Sequence, residues 1–147
     1  MRRAWYGLNQ AFRRRIAHLG ITPDQFTALR TLIEHRELTQ TQLTRLMASD
    51  PNTIASLLER MESNGLIDRK RLDSDRRTRL VSVRPAGQRK YEEARDIAVH
   101  LQSEVLGPIP SSQRERFLSQ LASVADACRA AVDDSKRAGP ASARRRA

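Results

Sequence analysis

Residues 37–87 read ELTQTQLTRLMASDPNTIASLLERMESNGLIDRKRLDSDRRTRLVSVRPAG. Two short helices and a hairpin are legible in that stretch. Thr39 is a good N-cap, and Gln42 three residues later completes a capping box. Leu38 before the cap and Leu43 after it can close a hydrophobic staple, and Leu43, Leu46 and Met47 then share one apolar face. Asp50-Pro51 opens a second helix, with a carboxylate to cap the free N–H groups and a proline where no N–H is missed. Ile54, Leu57, Leu58 and Met61 form its apolar face, and Asn64-Gly65 ends it with residues that tolerate a left-handed cap. On the opposite side of the helical wheel lie Asn52, Ser56, Glu59, Arg60 and Ser63. Taken alone, that helix is equally an ordinary amphipathic surface helix. Residues 66–71 and 78–84 follow as two strands, with Val81 and Val83 alternating against polar neighbours. Residues 72–77 between them hold turn formers and one apolar anchor, Leu72.

Charge turns this pattern toward nucleic acid. Arg69, Lys70, Arg71, Arg76, Arg77 and Arg79 crowd onto the hairpin against Asp68, Asp73 and Asp75, whereas a solvated hairpin mixes its signs more evenly. The whole chain of 147 residues carries a formal charge of +10. A basic finger beside a helix small enough for a groove can follow the phosphate backbone or place an arginine in a narrow minor groove. Short hydroxyl and amide side chains near the helix N-terminus suit base edges and phosphates. Arg69 and Lys70 are expected at phosphates. The expected architecture is mainly α with a small β-hairpin wing, a winged helix-turn-helix that binds double-stranded DNA. The alternative is a non-specific, basic RNA- or DNA-binding architectural protein, whose affinity would be nearly blind to sequence.

LTQTQLTRLM, the second helix, and GLIDRKRLDSDRRTRLVSV followed by Gly87 resemble the MarR family of bacterial winged-helix regulators. The most specific elements are Asp75-Arg76-Arg77 at the wing tip and Gly65-Leu66-Ile67 at a fixed distance before it. The resemblance implies that Asn52, Thr53 and Ser56 face the major groove, and that Arg77 reaches the minor groove held by Asp75. The DNA-contacting set is then Thr39, Gln40, Asp50, Asn52, Thr53, Ser56, Arg60, Arg69, Lys70, Asp75, Arg76 and Arg77. It also implies a ligand-responsive repressor and a homodimer whose terminal helices intertwine. A small-molecule effector is implied in the cleft between dimer interface and DNA-binding lobe. Two positions depart from the family. Arg84-Pro85 stands in place of a threonine cap, and Thr44 takes a place usually held by alanine.

The flanks read as helices. Trp5, Leu8, Phe12, Ile16 and Leu19 keep a helical period over about 3–19, stopped by Gly20. Thr22-Pro23-Asp24-Gln25 repeats the capping logic, with Ile21 and Phe26 as a staple and Phe26, Leu29, Leu32 and Ile33 as a buried stripe. A helix over about 85–106 carries Tyr91, Ala94, Ile97, Ala98, Leu101 and Val105 on one side. After Gly107-Pro108-Ile109-Pro110, a Ser112/Glu115 capping box opens a helix over about 111–134, with the stripe Phe117, Leu118, Leu121, Val124, Ala125, Cys128 and Val132. The organisation expected is one domain over 1–135, with the winged helix-turn-helix over about 22–84 and dimerisation helices around it. A disordered basic tail follows over 136–147. A dimer would cover stripes that one lobe leaves bare and present two reading helices to a palindrome; folding back as a monomer is the alternative.

Catalysis finds little support. His18, His35 and His100 are scattered, and neither a glycine-rich phosphate loop nor a Cys/His cluster is present, so no metal, cofactor or enzyme activity is expected. Cys128 is expected as a buried structural thiol, and a single cysteine suits a reducing cytoplasm. No apolar run approaches the ~20 residues of a membrane span. Arg13-Arg14-Arg15 reads as a solvated helix face, a second phosphate contact or the lining of an anionic pocket. Trp5 reads as an interface anchor.

Overall fold

The computed structural model describes the backbone of residues 2–72 and 75–137, and the side chains of these except 71–78, 129 and 132–137. The described residues form α1 (Arg2–Ile16), a 3₁₀ turn (Ala17–Leu19), α2 (Pro23–His35), β1 (Glu37–Thr39), α3 (Gln40–Leu46) and α4 (Pro51–Ser63). These are followed by β2 (Ile67–Leu72), β3 (Asp75–Val83), α5 (Pro85–Val105) and α6 (Ser111–Arg137). The chain divides after Val105 into two compact units, the first holding α1 to α5 and the second holding α6.

Local signals place the helix starts. The Thr22 hydroxyl accepts the Gln25 N–H at 3.2 Å while the Gln25 side-chain oxygen accepts the Thr22 N–H at 3.0 Å. Thr39 and Gln42 repeat the exchange at 3.2 and 2.8 Å to open α3. Each box satisfies a donor that the first helical turn leaves without a partner. Gly20 and Gly65 end their elements at φ 67 and 68. Asn64 stays at φ −84, so the glycine alone takes the left-handed position that a Cβ would disfavour. Thr44, the departure on α3, donates its hydroxyl to the Gln40 carbonyl at 2.8 Å and costs the helix pair no unpaired group.

The sheet has a strand that the sequence did not announce. Its order is β1-β3-β2, antiparallel throughout, with Leu38 opposite Val81 and Ile67 opposite Val83. Leu38, expected only as a staple residue, lies in β1 and is buried, as is Val81. Three residues carry too little alternation to signal a strand; pairing with β3 makes it one. The first hairpin strand is displaced by one residue from the expected 66–71, and the second is longer than the expected 78–84. β2 runs to Leu72 and β3 begins at Asp75, with the register shifting between Arg71 and Leu72 so that Leu72 faces Asp75. Leu72 and residues 75–77 of the expected turn over 72–77 therefore belong to the strands, and residues 73 and 74 lie outside the described residues.

The core gathers Leu29 and Leu32 of α2, Leu43 of α3, Ile54, Leu58 and Met61 of α4, and Leu66, Ile67 and Val81 of the wing base. It corrects several expected stripes. Leu46 is 46% exposed, because α3 is short and only its Leu43 side meets the core. On α2, Ala28 is buried and Phe26 and Ile33 are half-buried, because Phe26 sits between Phe12 and Tyr91 at the outer edge of the helix packing. On α1 only Ile16 is buried, while Trp5 and Leu8 are exposed. Val105 at the end of α5 is exposed as well.

The start of α5 is fixed by close contact in place of a threonine cap. Pro85 takes the first helical position, the Arg84 N–H donates to the Leu66 carbonyl at 3.0 Å, and Gly87 is buried against that same carbonyl. Further along, Lys90 Nζ donates to the Leu19 carbonyl at 2.6 Å and Arg15 pairs with Glu104 at 2.9 and 2.6 Å, tying α5 to α1 and its 3₁₀ turn. Arg15 is thus not part of a freely solvated arginine face, although its pair is exposed.

α6 begins at Ser111, with the Gln113 N–H bonded to the Pro110 carbonyl at 2.9 Å. Ser112 therefore lies inside the first turn and is not the cap expected of it. Phe117, Leu118, Leu121 and Val124 are exposed along this helix. Cys128, expected to be buried, is exposed, as are those four residues of the same helical stripe. Of the expected tail over 136–147, Lys136 and Arg137 continue α6 and residues 138–147 lie outside the described residues. No helix among the described residues is long and apolar enough to cross a membrane.

Candidate nucleic-acid interface

The core contacts of α4 decide which of its side chains stay free. Burying Ile54, Leu57, Leu58 and Met61 turns Asn52, Thr53, Ser56, Glu59, Arg60 and Ser63 outward, all of them exposed. Asn52, Ser56 and Arg60 make no side-chain hydrogen bond to another described residue, so their donors and acceptors are available to a partner. Thr53 is partly committed. Asp50 Oδ1 accepts the N–H groups of Asn52 and Thr53 at 3.0 and 2.9 Å, and the Thr53 hydroxyl donates to Asp50 Oδ2 at 2.5 Å. The Thr53 hydroxyl and then its backbone N–H hold the Asp50 carboxyl below the usual aspartate range. Asp50 thereby closes the N-terminus of α4, while Thr53 keeps acceptor lone pairs and its methyl for contact.

Thr39 and Gln40, at the start of α3, are half-buried, and the Thr39 hydroxyl is occupied in its capping box. On the wing, Lys70 is exposed and faces away from the core side of β2. Arg69, expected at a phosphate, has its guanidinium turned to Glu62 on the last turn of α4 instead. Nε donates to Glu62 Oε2 at 2.8 Å and a terminal nitrogen donates to the same oxygen. The Arg69 side chain is only 13% exposed. Glu62 escaped the sequence reading because, on helical periodicity alone, it is one more polar surface residue; its partner lies across a turn. Arg84 pairs with Asp68 at 3.7 Å at the wing base. Asp75, Arg76 and Arg77 stand at the start of β3, and their side chains lie outside the described residues.

A cleft of about 810 Å³ opens beside α4. Its lining includes Arg13 of α1, Ile21 and Gln25 around the start of α2, and Glu59 and Arg60 of α4. Its lining carries both signs of charge, Arg13 and Arg60 beside Asp24 and Glu59. Among the described residues no three His, Cys, Asp or Glu side chains gather as a metal would require.

Residues 21–78 match the model of the MarR family. The organic hydroperoxide resistance transcriptional regulator of Bacillus subtilis is 40% identical over 79 residues, and the match spans about half of each protein, 54%. A probable transcriptional regulator from Pseudomonas aeruginosa superimposes with a TM-score of 0.76 at 34% identity, over 84% of this chain and 92% of that one. BpsR of Bordetella bronchiseptica, whose DNA binding is regulated by 6-hydroxynicotinic acid, shares the fold with a TM-score of 0.77 at 24% identity, over 85% and 89% of the two chains.

Proposed function

The chain belongs to the MarR family, and on that premise we propose that it is a repressor that binds a palindromic operator in double-stranded DNA as a homodimer and is released by a small effector. Transcriptional regulation, not catalysis, is the business of this family. The observation that carries the reading is the outward face of α4: Asn52 and Ser56 are exposed and unpaired near the N-terminus of a helix capped by Asp50, next to a basic wing. Amide and hydroxyl groups so placed can read base edges in a major groove. In this reading Asn52, Thr53 and Ser56 read bases, and Thr39, Gln40, Arg60 and Lys70 meet phosphates and sugars. Arg77, steadied by Asp75 and flanked by Arg76, enters the minor groove.

The dimer is supported by what the protomer leaves bare. Trp5, Tyr6 and Leu8 on α1 and Phe117, Leu121 and Val124 on α6 are all exposed, more apolar surface than a monomer usually shows to water. The winged lobe over 22–84 is then flanked by dimerisation helices, and two copies of α4 are held about one helical turn, ~34 Å, apart. The effector reading rests on the cleft whose wall is α4 itself: an occupant touching Glu59 and Arg60 bears directly on the reading helix. BpsR offers the precedent of a small aromatic acid acting on DNA binding. Bacterial cytoplasm, with the nucleoid as target, is the corresponding location.

Selection of duplexes from a random pool by the purified protein tests the reading. The expected outcome is an inverted repeat bound about 10³-fold or more above random DNA, with the preferred bases changed in Asn52→Ala and Ser56→Ala. A protein that enriches no sequence is the basic architectural binder instead.

A further inference from the structure

The wing leaves α4 through residues 64–66, where Gly65 is left-handed, the Gly65 and Leu66 N–H groups donate to the Glu62 and Met61 carbonyls at 2.9 Å, and the Leu66 carbonyl accepts the Arg84 N–H at 3.0 Å. These bonds hold the base of the wing, and beyond them Arg69 ties β2 back to α4. Leu66 and Ile67 anchor the base of β2 in the core, at 1% and 0% exposure. Along a strand, side chains alternate, so Arg69 projects on the same side as Ile67, toward α4. It stands where the apolar contact runs out and continues that contact as an ion pair to Glu62. The two donors of one guanidinium converge on a single carboxylate oxygen, an arrangement that fixes orientation as well as distance. Arg69 also holds the Glu62 carboxyl below the usual glutamate range, with Arg79 of β3 adding a smaller push in the same direction.

Resting on the reading of this chain as a sequence-specific DNA binder, we propose that the Glu62–Arg69 pair sets the angle between the reading helix and the wing, and through it the selectivity for the operator. Both are positioning residues: neither needs to touch DNA. The reason is geometric. Major-groove reading by α4 and minor-groove entry by the wing tip must register on one duplex at once, and a small rotation at residues 64–66 is multiplied along the six residues of β2. Random DNA makes no such demand, because phosphate contacts tolerate a range of wing angles.

Glu62→Gln separates this from simple electrostatics. Removing a negative charge beside a basic surface should tighten all DNA binding if charge alone matters. If the pair sets the angle, affinity for the duplex selected by wild-type protein falls about tenfold, the scale of coupling between contacting charged residues. Affinity for a random duplex of equal length holds or rises. Glu62→Asp, which keeps the charge on a shorter stem, should lose selectivity in the same direction. The exchange Glu62→Arg with Arg69→Glu should restore part of what either single change loses. Melting curves establish that each variant is folded. A ratio of selected to random affinity that stays at the wild-type value in Glu62→Gln and Glu62→Asp overturns the inference while leaving the operator reading intact. So does an exchange variant no better than the single changes. Wild-type protein that selects no sequence overturns both.

Discussion

Gly87→Ala places one methyl group against backbone at the point where α5 leaves the winged lobe. A Cβ there lies 2.2 Å from the Leu66 carbonyl oxygen, 3.1 Å from its carbon and 3.1 Å from Leu29 Cδ2. Reaching an ordinary contact of ~3.4 Å requires the start of α5 and the Leu66 peptide to part by about 1 Å. That carbonyl accepts the Arg84 N–H at 3.0 Å, so parting weakens a hydrogen bond worth about 1 kcal/mol. Leu29 and Leu66 are fully buried, and overpacking such a site costs about 1–3 kcal/mol. Alanine recovers about 1 kcal/mol over glycine through helix propensity. The balance is a loss of about 2 kcal/mol, or about 4–8 °C in Tm for a domain of this size. Thermal melting followed by circular dichroism, with urea unfolding alongside, reads it. Gly7→Ala is the control: it sits in α1 with no atom of its own chain within 4 Å of the new methyl, so in a Leu121→Asp background, where the proposed partner no longer covers α1, the propensity gain of about 1 kcal/mol should appear alone. A Gly87→Ala protein that melts with or above wild type, while Gly7→Ala behaves as stated, would refute the close-approach argument.

Ala48, in the turn between α3 and α4, is held at φ 48, so Ala48→Gly should stabilise by about 1 kcal/mol in urea unfolding; a lower midpoint would contradict the strain. The carboxyls of Asp50, Glu62 and Glu104 are all held below their usual ranges by hydrogen bonds from Thr53, Arg69 and Arg15. Their folded pKa values lie under the unfolded ones, so their contribution is complete above the unfolded values and drains as pH falls through the folded ones. Tm should therefore fall on acidification below about pH 4, and less steeply in Asp50→Asn; a wild-type Tm flat down to pH 3 would count against these pairings. Leu121→Asp puts an unpaired charge on the exposed α6 stripe and should cost several kcal/mol of association. Sedimentation of wild type at twice the 16.7 kDa chain mass is the expected outcome, and wild type at the single-chain mass removes the dimer and its palindrome.

Much of the helix pair that carries the candidate interface was legible in the order of its residues. The boxes Thr22/Gln25 and Thr39/Gln42, the Asp50-Pro51 start and the Gly20 and Gly65 stops appear in the structure as they stand in the sequence. Each is an interaction between residues two or three apart, and at that range sequence and geometry are nearly the same thing. The buried face of α4 was equally readable, and burial of that face is what exposes Asn52 and Ser56. Ser112/Glu115 shows the limit. The same signature stood one step inside a helix already begun at Ser111, because two prolines upstream set the entry first.

Contacts across distance belonged to the tertiary structure. Leu38 becomes a strand residue only because Val81 arrives opposite it, and a three-residue strand has no periodicity to read. Arg69 looks like one more phosphate-seeking arginine until the turn through Gly65 brings Glu62 against it. Arg15 leaves the arginine run of α1 for Glu104, and Gly87 is required by the Leu66 carbonyl, not by any turn of its own. Helical periodicity told that α1 and α6 are amphipathic, since period is a property of one helix. Which part of a stripe is covered depends on neighbours: Ile16 is buried while Trp5, Leu8 and Leu121 are not. Local chemistry chose the elements and the outward face of α4; only packing could decide which charges are spent inside the protein and which remain for a partner.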